Sequence, residues 1–164
     1  LPKYKMELKI ISLGQLKNNP ILEIQKDYQK RILNLSKSVG FKKLLIKELP
    51  ISKKVSTKER QIEETDIISK YIEKNNYNIF LDSDGDNIDS LDISKIISKN
   101  SFDGKNLIFF IGGPDGFNKD ILKSANKIIS FGKVTWPHKL VRIMLLEQLY
   151  RGITILKNHP YHRN

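Results

Sequence analysis

The apolar positions of the chain recur with two alternating periods, which predict five β-strands separated by helices. Short β-prone apolar runs occupy residues 6–13, 41–49, 77–81, 107–111 and 129–135, and a segment with helical spacing follows each run. This alternation favours a mostly parallel α/β sheet with helices on both faces. A length of 164 residues suits one domain, residues 1–164, in which residues 1–5 form an N-terminal extension.

Local capping signals predict where the helices begin. The first helix has an apolar stripe formed by Ile21, Ile24, Tyr28, Ile32 and Leu35. Ser56, with Glu59 three residues later, has the spacing of a capping box and predicts a second helix that reaches about residue 74. Asp89 or Ser90 caps a third helix that reaches about residue 99, and Asn118 caps a fourth. Pro20 and Pro137 suit the first turns of the first and the last helix.

The last helix is apolar around nearly its whole circumference. Its polar face is narrow and consists of Lys139, Arg142, Glu147, Gln148 and Arg151. A helix of this kind is buried on most sides. The extra apolar face indicates either a subunit interface or deep burial within one chain, and the sequence leaves both open.

The C-terminal third concentrates the residues suited to binding and chemistry. The strand at 107–111 runs into the glycine turn 112–116, whose three glycines let a ligand approach the backbone closely. All three histidines, the single tryptophan and three of the five arginines lie in the last 29 residues. Arginine in a chain that otherwise uses lysine indicates a need for its planar, bidentate fork.

Charge and composition narrow the class of partner. The formal net charge is +11, from 29 Lys and Arg against 18 Asp and Glu, which favours a polyanion, RNA first. An AT-rich genome would also produce much of this lysine.

The absence of cysteine excludes disulfides and thiolate metal sites. The chain has no apolar run long enough to span a membrane and no apolar core of a signal peptide, so we expect a soluble, cytoplasmic protein. The polar stretch 51–60 is either a mobile basic flap or an ordinary solvated connection.

Several familiar sites are excluded by their spacing. The acidic run 82–87 lacks the glycine and the final glutamate of a calcium loop, so we expect a turn there. The chain has neither a P-loop, nor a dinucleotide fingerprint, nor a nucleophile elbow. His159 and His162 lack partners for a zinc site, and no metal is expected. The residues alone therefore indicate a small-ligand site at strand ends beside a polyanion-binding surface.

Three strings in the chain resemble signature blocks of the RlmH family. They are IGGPDG, TWPHKLVR with LLEQLYRG, and NHPYHR, and the start MELKIISLG and the string IFLDSDG extend the likeness. This family consists of SPOUT-class methyltransferases that methylate N3 of a pseudouridine in large-subunit (23S) ribosomal RNA. The resemblance implies a C-terminal trefoil knot, a homodimer and S-adenosylmethionine as cofactor. By motif position it implies cofactor contacts from Leu81, Gly112, Gly113, Phe131, Gly132, Lys133, Val134, Thr135 and Trp136.

The same resemblance suggests roles for the C-terminal polar residues. His138 or His162 would assist removal of the N3 proton, Arg142 and Arg163 would hold phosphate or uracil oxygens, and Tyr161 would stack on the base. A structural role for His138 and a buried salt bridge between Arg142 and Glu147 are the alternatives. We expect lysines within 42–58 to contact phosphate, and the substrate to be the assembled 70S ribosome. A non-catalytic RNA-binding module with this fold, and a nucleotide-binding protein unrelated to RNA, are the competing interpretations.

Overall fold

A computed structural model describes residues 6–163, so the extension expected at residues 1–5 lies outside the described part of the chain. The strands are β1 (Met6–Leu13), β2 (Phe41–Leu49), β3 (Tyr77–Asn87), β4 (Leu107–Ile111) and β5 (Lys127–Ser130). The helices are α1 (Ile21–Ser36), α2 (Thr57–Ser69), α3 (Ser90–Phe102), α4 (Lys119–Leu122) and α5 (His138–Leu156), with a short 3-10 turn at Lys37–Val39. The described strands therefore alternate with helices, as predicted.

The five strands form one sheet in the order β2-β1-β4-β3-β5, and each neighbouring pair is parallel. This confirms the predicted α/β class with a parallel sheet. Because the strands are parallel, the carboxyl ends of the adjacent strands β4, β3 and β5 lie along one edge of the sheet. The segments that follow these three strands therefore meet, which positions the candidate site.

Helices cover both faces of the sheet, which confirms the predicted layering. On one face, Leu8, Ile10, Phe109 and further strand residues pack in one buried cluster with residues of α1, α3 and α5. On the other, strand residues such as Phe80 and Phe110 pack with α2 and α4, and the rings of this pair stack with centroids 4.5 Å apart. Alternate residues of the central strands thus enter two separate cores.

Helix α5 packs against both α1 and α3, and five of its apolar residues are buried within the chain: Leu145, Leu146, Leu149, Tyr150 and Ile153. Deep burial therefore explains only part of its apolar surface, since Val141, Ile143 and Met144 are only partly buried. An apolar patch formed by Val134, Trp136 and Leu140 lies just before and in the first turn of α5, with 65%, 42% and 40% of each residue exposed. That this exposed patch forms a subunit interface stays a prediction. The trefoil knot that the resemblance implies also stays a prediction. No helix within residues 6–163 has the length and apolar character needed to cross a membrane.

The turn expected at residues 82–87 is wrong, because strand β3 continues through this segment. The strand continues to Asn87, and after an irregularity between Leu81 and Asp86 it pairs again with β5, Asp86 with Ile129 and Asn87 with Ser130. Gly85 makes this possible, because a Cβ atom there would lie 2.7 Å from backbone atoms of Ile129. The acidic segment is therefore part of the sheet, where its tertiary pairing overrides the local turn signal.

Strand β5 is shorter than the predicted 129–135 and ends at Ser130. Gly132 has a φ of +100°, outside the range of a strand, and the Ser130 hydroxyl donates to the Gly132 carbonyl at 2.8 Å. Helix α2 likewise ends at Ser69 instead of near residue 74, and α3 continues to Phe102 beyond the expected residue 99. Pro20 and Pro137 precede the first helical residues as N-caps instead of occupying the first turn.

Candidate functional site

A cavity of about 660 Å³ lies at the carboxyl ends of β3, β4 and β5. Residues from three consecutive strand ends line it, namely 81–83, 111–117 and much of 129–138. Its wall combines apolar side chains such as Leu81, Ile111 and Phe117 with the exposed backbone of the glycine turn. A cavity of this size at the carboxyl ends of parallel strands, with a wall of mixed apolar and polar groups, is typical of a small-ligand site.

The structure brings together nearly all of the predicted cofactor residues. Eight of the nine line this cavity: Leu81, Gly112, Gly113, Phe131, Gly132, Val134, Thr135 and Trp136. The exposed Lys133 is absent from the lining. Within the loop, the Trp136 indole donates to the Phe131 carbonyl at 3.3 Å and so closes the segment on itself. The residues expected to form a fifth strand are therefore a cavity wall.

The glycine turn is bonded to α2, a contact that the sequence did not predict. The Arg60 guanidinium binds the Asp115 carboxylate through two hydrogen bonds, Nε to Oδ2 at 2.7 Å and Nη2 to Oδ1 at 3.0 Å. The Gln61 amide donates to the Asp115 carbonyl at 2.9 Å. The hydrogen bond from Arg60 lowers the pKa of the Asp115 carboxyl below its usual value, so this carboxyl is ionised at neutral pH.

One turn further along α2, Glu64 is buried behind Gly113. Its Oε1 accepts from the Ser52 amide at 2.9 Å, and its Oε2 has no hydrogen-bond partner among the described residues. Burial raises the pKa of this carboxyl, with a further rise from the charge of Asp115. Together with Arg60, these contacts bond the stretch 51–60 to the protein, which favours an ordinary connection over the mobile flap. The sequence contained one indication that Arg60 has a specific partner, because it is one of only five arginines in a lysine-rich chain.

Arg142 lies in a buried network on the opposite side of the sheet from α2. Its side chain is fully buried, and Nη1 donates to Glu48 Oε2 at 2.8 Å and to Gln25 Oε1 at 3.3 Å. Nη2 donates to Ser12 Oγ at 3.0 Å and to the Gly14 carbonyl at 3.1 Å. The alternative salt bridge to Glu147 is wrong, because the carboxylate partner is Glu48. A guanidinium enclosed in this way does not reach the surface, so the geometry favours a structural role over contact with phosphate or uracil.

His138 lines the cavity at the first residue of α5. Its Nε2 is buried without a hydrogen-bond partner among residues 6–163 and lies 3.0 Å from where a Cβ of Gly14 would be. Burial lowers the pKa of this imidazole, and the charges of Lys139 and Arg142 lower it further. His138 is therefore neutral at pH 7, as a proton acceptor must be, although its buried nitrogen faces the β1–α1 loop.

The C-terminal tail does not line the cavity of its own chain. The Tyr161 hydroxyl donates to Glu147 Oε1 at 3.1 Å, and its ring packs edge-on against Tyr150 with centroids 4.7 Å apart. Burial is the main cause that raises the pKa of Tyr161. His162 Nδ1 lies 3.4 Å from Arg151 Nη1, and because a guanidinium only donates, Nδ1 is the accepting atom in this contact. Arg163 is exposed beside this cluster.

The lysines expected to contact phosphate lie at both ends of β2, apart from the exposed Lys47 within the strand. Lys42 and Lys43 lie at the start of β2 and pair with Glu7, at 3.6 Å and 2.8 Å, where Lys43 is the main cause of the lowered pKa of Glu7. The exposed residues Lys53, Lys54 and Lys58 follow the carboxyl end of β2, at the same edge of the sheet as the cavity. Lys42 and Lys43 are thus at the opposite end of β2 from this second group, and only the second group is beside the site. No group of three or more possible His, Asp or Glu metal ligands occurs in the part of the chain that the structure describes.

Comparison with known proteins gives a consistent result. A family profile described as "Predicted SPOUT methyltransferase" matches residues 6–162. Proteins named ribosomal RNA large subunit methyltransferase H from Bradyrhizobium diazoefficiens and Afipia carboxidovorans are 39% and 38% identical, and each alignment covers 96% of this chain and 99% of the relative. The crystal structure of a probable methyltransferase from Bordetella pertussis Tohama I has a TM-score of 0.51 at 9% identity, covering 91% of this chain and 95% of that one, which shows similarity of fold alone.

Proposed function

Because the chain belongs to the RlmH family of SPOUT methyltransferases, we propose that it transfers a methyl group from S-adenosylmethionine to N3 of a pseudouridine in large-subunit ribosomal RNA. The observation that carries this proposal is the cavity at the strand ends, which eight of the nine predicted cofactor residues line. We expect the substrate to be the assembled 70S ribosome, in the cytoplasm. The net charge of +11 supports a polyanionic substrate.

The residues around the cavity fit S-adenosylmethionine. The apolar residues Leu81, Ile111 and Phe117 suit an adenine ring, and backbone groups of residues 131–136 are available to its polar edge. At Gly132 no atom lies within 4 Å of where a Cβ would be, so the cavity beside the loop is open. When bound, this cofactor supplies an electrophilic methyl group on a sulfonium. The protein's part is to orient donor and acceptor, exclude water and accept the N3 proton.

We assign removal of the N3 proton to a histidine, either His138 or His162. His138 belongs to the cavity wall and its lowered pKa keeps the imidazole neutral, but its Nε2 is buried against Gly14. His162 lies outside the cavity of its own chain, with Nδ1 directed at Arg151. The geometry of a single chain therefore favours His138 by position and His162 by accessibility.

A homodimer would bring the second chain's tail to this cavity. The tail residues Tyr161, His162 and Arg163 do not line the cavity of their own chain, whereas the exposed patch of Val134, Trp136 and Leu140 lies beside it. An apolar patch at the rim of a site is typical of an interaction surface. In the dimer, Tyr161 and Arg163 would contact the base and phosphate. Lys53, Lys54 and Lys58 would add phosphate contacts at the same edge of the sheet.

The experiment is transfer of labelled methyl from S-adenosylmethionine to ribosomes that lack the modification, with 70S particles, 50S subunits and naked RNA compared. We expect label in a pseudouridine of 70S particles, and loss of transfer with His162→Ala or Arg163→Ala at unchanged cofactor affinity. Unchanged turnover in both variants would remove the tail from the mechanism. Cofactor binding without label on any RNA would refute the substrate, and RNA binding without cofactor binding would indicate a non-catalytic module.

A further inference from the structure

Arg60 uses every hydrogen-bond donor it has, although it lies outside the cavity. Two donors bind the Asp115 carboxylate, Nη1 donates to the carbonyls of Lys54 at 3.1 Å and Val55 at 2.8 Å, and Nη2 also donates to Thr57 Oγ1 at 2.9 Å. A guanidinium has five N–H groups, so this set saturates it. One side chain thus bonds the loop before α2 to a residue of the glycine turn 55 positions away in sequence.

The contact differs from an ordinary surface ion pair in geometry and in burial. Isolated exposed pairs contribute little, because solvent screens them and their side chains are mobile. Here the pair is bidentate, and only 24% of the Arg60 side chain and 17% of the Asp115 side chain is exposed. The Gln61 amide bonds the backbone carbonyl of the same Asp115, so α2 restrains both the side chain and the main chain of the turn.

The glycine turn needs an external restraint of this kind. Glycine has the widest choice of backbone conformations, and three of the five residues at 112–116 are glycine. Within the turn, the Gly116 amide donates to the Gly113 carbonyl at 3.0 Å. Asp115 itself lines the cavity, whereas Arg60 is not part of the lining. Arg60 therefore bonds directly to a residue of the cavity wall without lining the cavity itself.

We propose that Arg60 is a positioning residue for the methyl-donor cavity, which holds the glycine turn in its binding conformation through the fork on Asp115. The inference rests on the proposed function. Arg60→Lys keeps the charge but cannot form the bidentate pair and the three other bonds together. Loss of the fork raises the Kd and the KM for S-adenosylmethionine. The turnover rate at saturating cofactor stays close to that of the wild type, because the turn is then held by the ligand.

The test is isothermal titration of S-adenosylmethionine into the purified wild type, Arg60→Lys, Arg60→Ala and a control, Arg31→Lys. Arg31 pairs with Asp27 on the exposed side of α1, away from the cavity. We expect Arg60→Ala to weaken binding on the order of tenfold, which corresponds to about 1.4 kcal/mol of binding free energy. Arg60→Lys should lie between Arg60→Ala and the wild type, and Arg31→Lys should match the wild type.

Circular dichroism of each variant separates misfolding from misplacement. If Arg60→Ala does not fold, Arg60→Lys decides the question alone. Wild-type affinity in a folded Arg60→Lys and a folded Arg60→Ala would overturn the inference while leaving the proposed function intact. A wild type that binds no S-adenosylmethionine would overturn the proposed function and the inference with it.

Discussion

Replacement of Arg142 by alanine tests whether the network at the start of α1 is structural. The substitution removes the cation that contacts Glu48, Gln25, Ser12 and the Gly14 carbonyl. Because the Arg142 side chain is fully buried, water does not replace its hydrogen bonds without entering the core. The expected result is a less stable protein whose β1–α1 loop is no longer held against α5.

The size of the effect follows from the burial of each partner. Removing one member of a buried ion pair costs about 3–5 kcal/mol, because the other charge is left without compensation. The Glu48 side chain is 33% exposed and also accepts from the Leu16 amide, so it is partly solvated and the lower half of that range applies to the pair. Ser12 is completely buried and loses its donor, which adds about 1–3 kcal/mol. We therefore expect a total loss of at least about 3–5 kcal/mol, because the two contributions share one side chain and need not add in full.

The assay is thermal and denaturant unfolding at one protein concentration, which matters if the chain is a dimer. For a chain of this length, 3–5 kcal/mol corresponds to a fall in Tm of about 6–20 °C. Arg31→Lys, which keeps the charge of an exposed arginine beside Asp27, is the control and should change Tm little. Combining Arg142→Ala with Glu48→Gln should cost less than the sum of the two, because the second change removes the uncompensated carboxylate.

One outcome would indicate that Arg142 has a role in catalysis instead of a structural one. If Arg142→Ala kept the wild-type Tm and lost methyl transfer, the residue would act on substrate, and the enclosed conformation would not be the one that functions. A loss of turnover that accompanies a lowered Tm agrees with the structural role.

Two further predictions concern Gly85 and His138. Gly85→Ala places a Cβ about 2.7 Å from the backbone of Ile129, which cannot move aside as a side chain can. We therefore expect the free energy of unfolding, measured with denaturant, to fall by at least about 1–3 kcal/mol. Wild-type stability would contradict the close approach of β3 and β5. The pKa of His138, measured by NMR titration, should lie below its ordinary value of 6.5. Because the unfolded imidazole binds a proton first as the pH falls, His138 should reduce the free energy of unfolding below about pH 6.5, and His138→Gln should abolish that part of the pH dependence; a pKa at or above 6.5 would refute the burial argument.

Local signals in the sequence were sufficient for much of the secondary structure. Strands β1, β2 and β4 have the predicted bounds, because each is a short apolar run ended by glycine or proline or by a polar stretch. The caps Ser56, Asp89 and Asn118 each accept a hydrogen bond from a backbone amide two or three residues later, as their residue types predict. Capping is decided within four residues of chain, so no tertiary information is needed.

The cavity wall was predicted from motifs, whereas its geometry was not. Resemblance identified eight of the nine predicted cofactor residues as wall residues, but residues 131–135 were expected to continue a strand. The apolar run at that place is compatible with both conformations. Only the pairing of β5 with β3 ends the strand at Ser130 and leaves the following backbone open to the cavity.

The sequence by itself determined which segments are strands and helices, which faces of them are apolar, and that the chain is strongly basic. Tertiary structure alone decided the partners of the long polar side chains. Arg142 pairs with Glu48 across 94 residues instead of with Glu147, and Arg60 pairs with Asp115 across 55. The physical reason is that periodicity reports which side of an element is buried, while a charged side chain pairs with whatever the strand order and helix packing bring within about 3 Å of it.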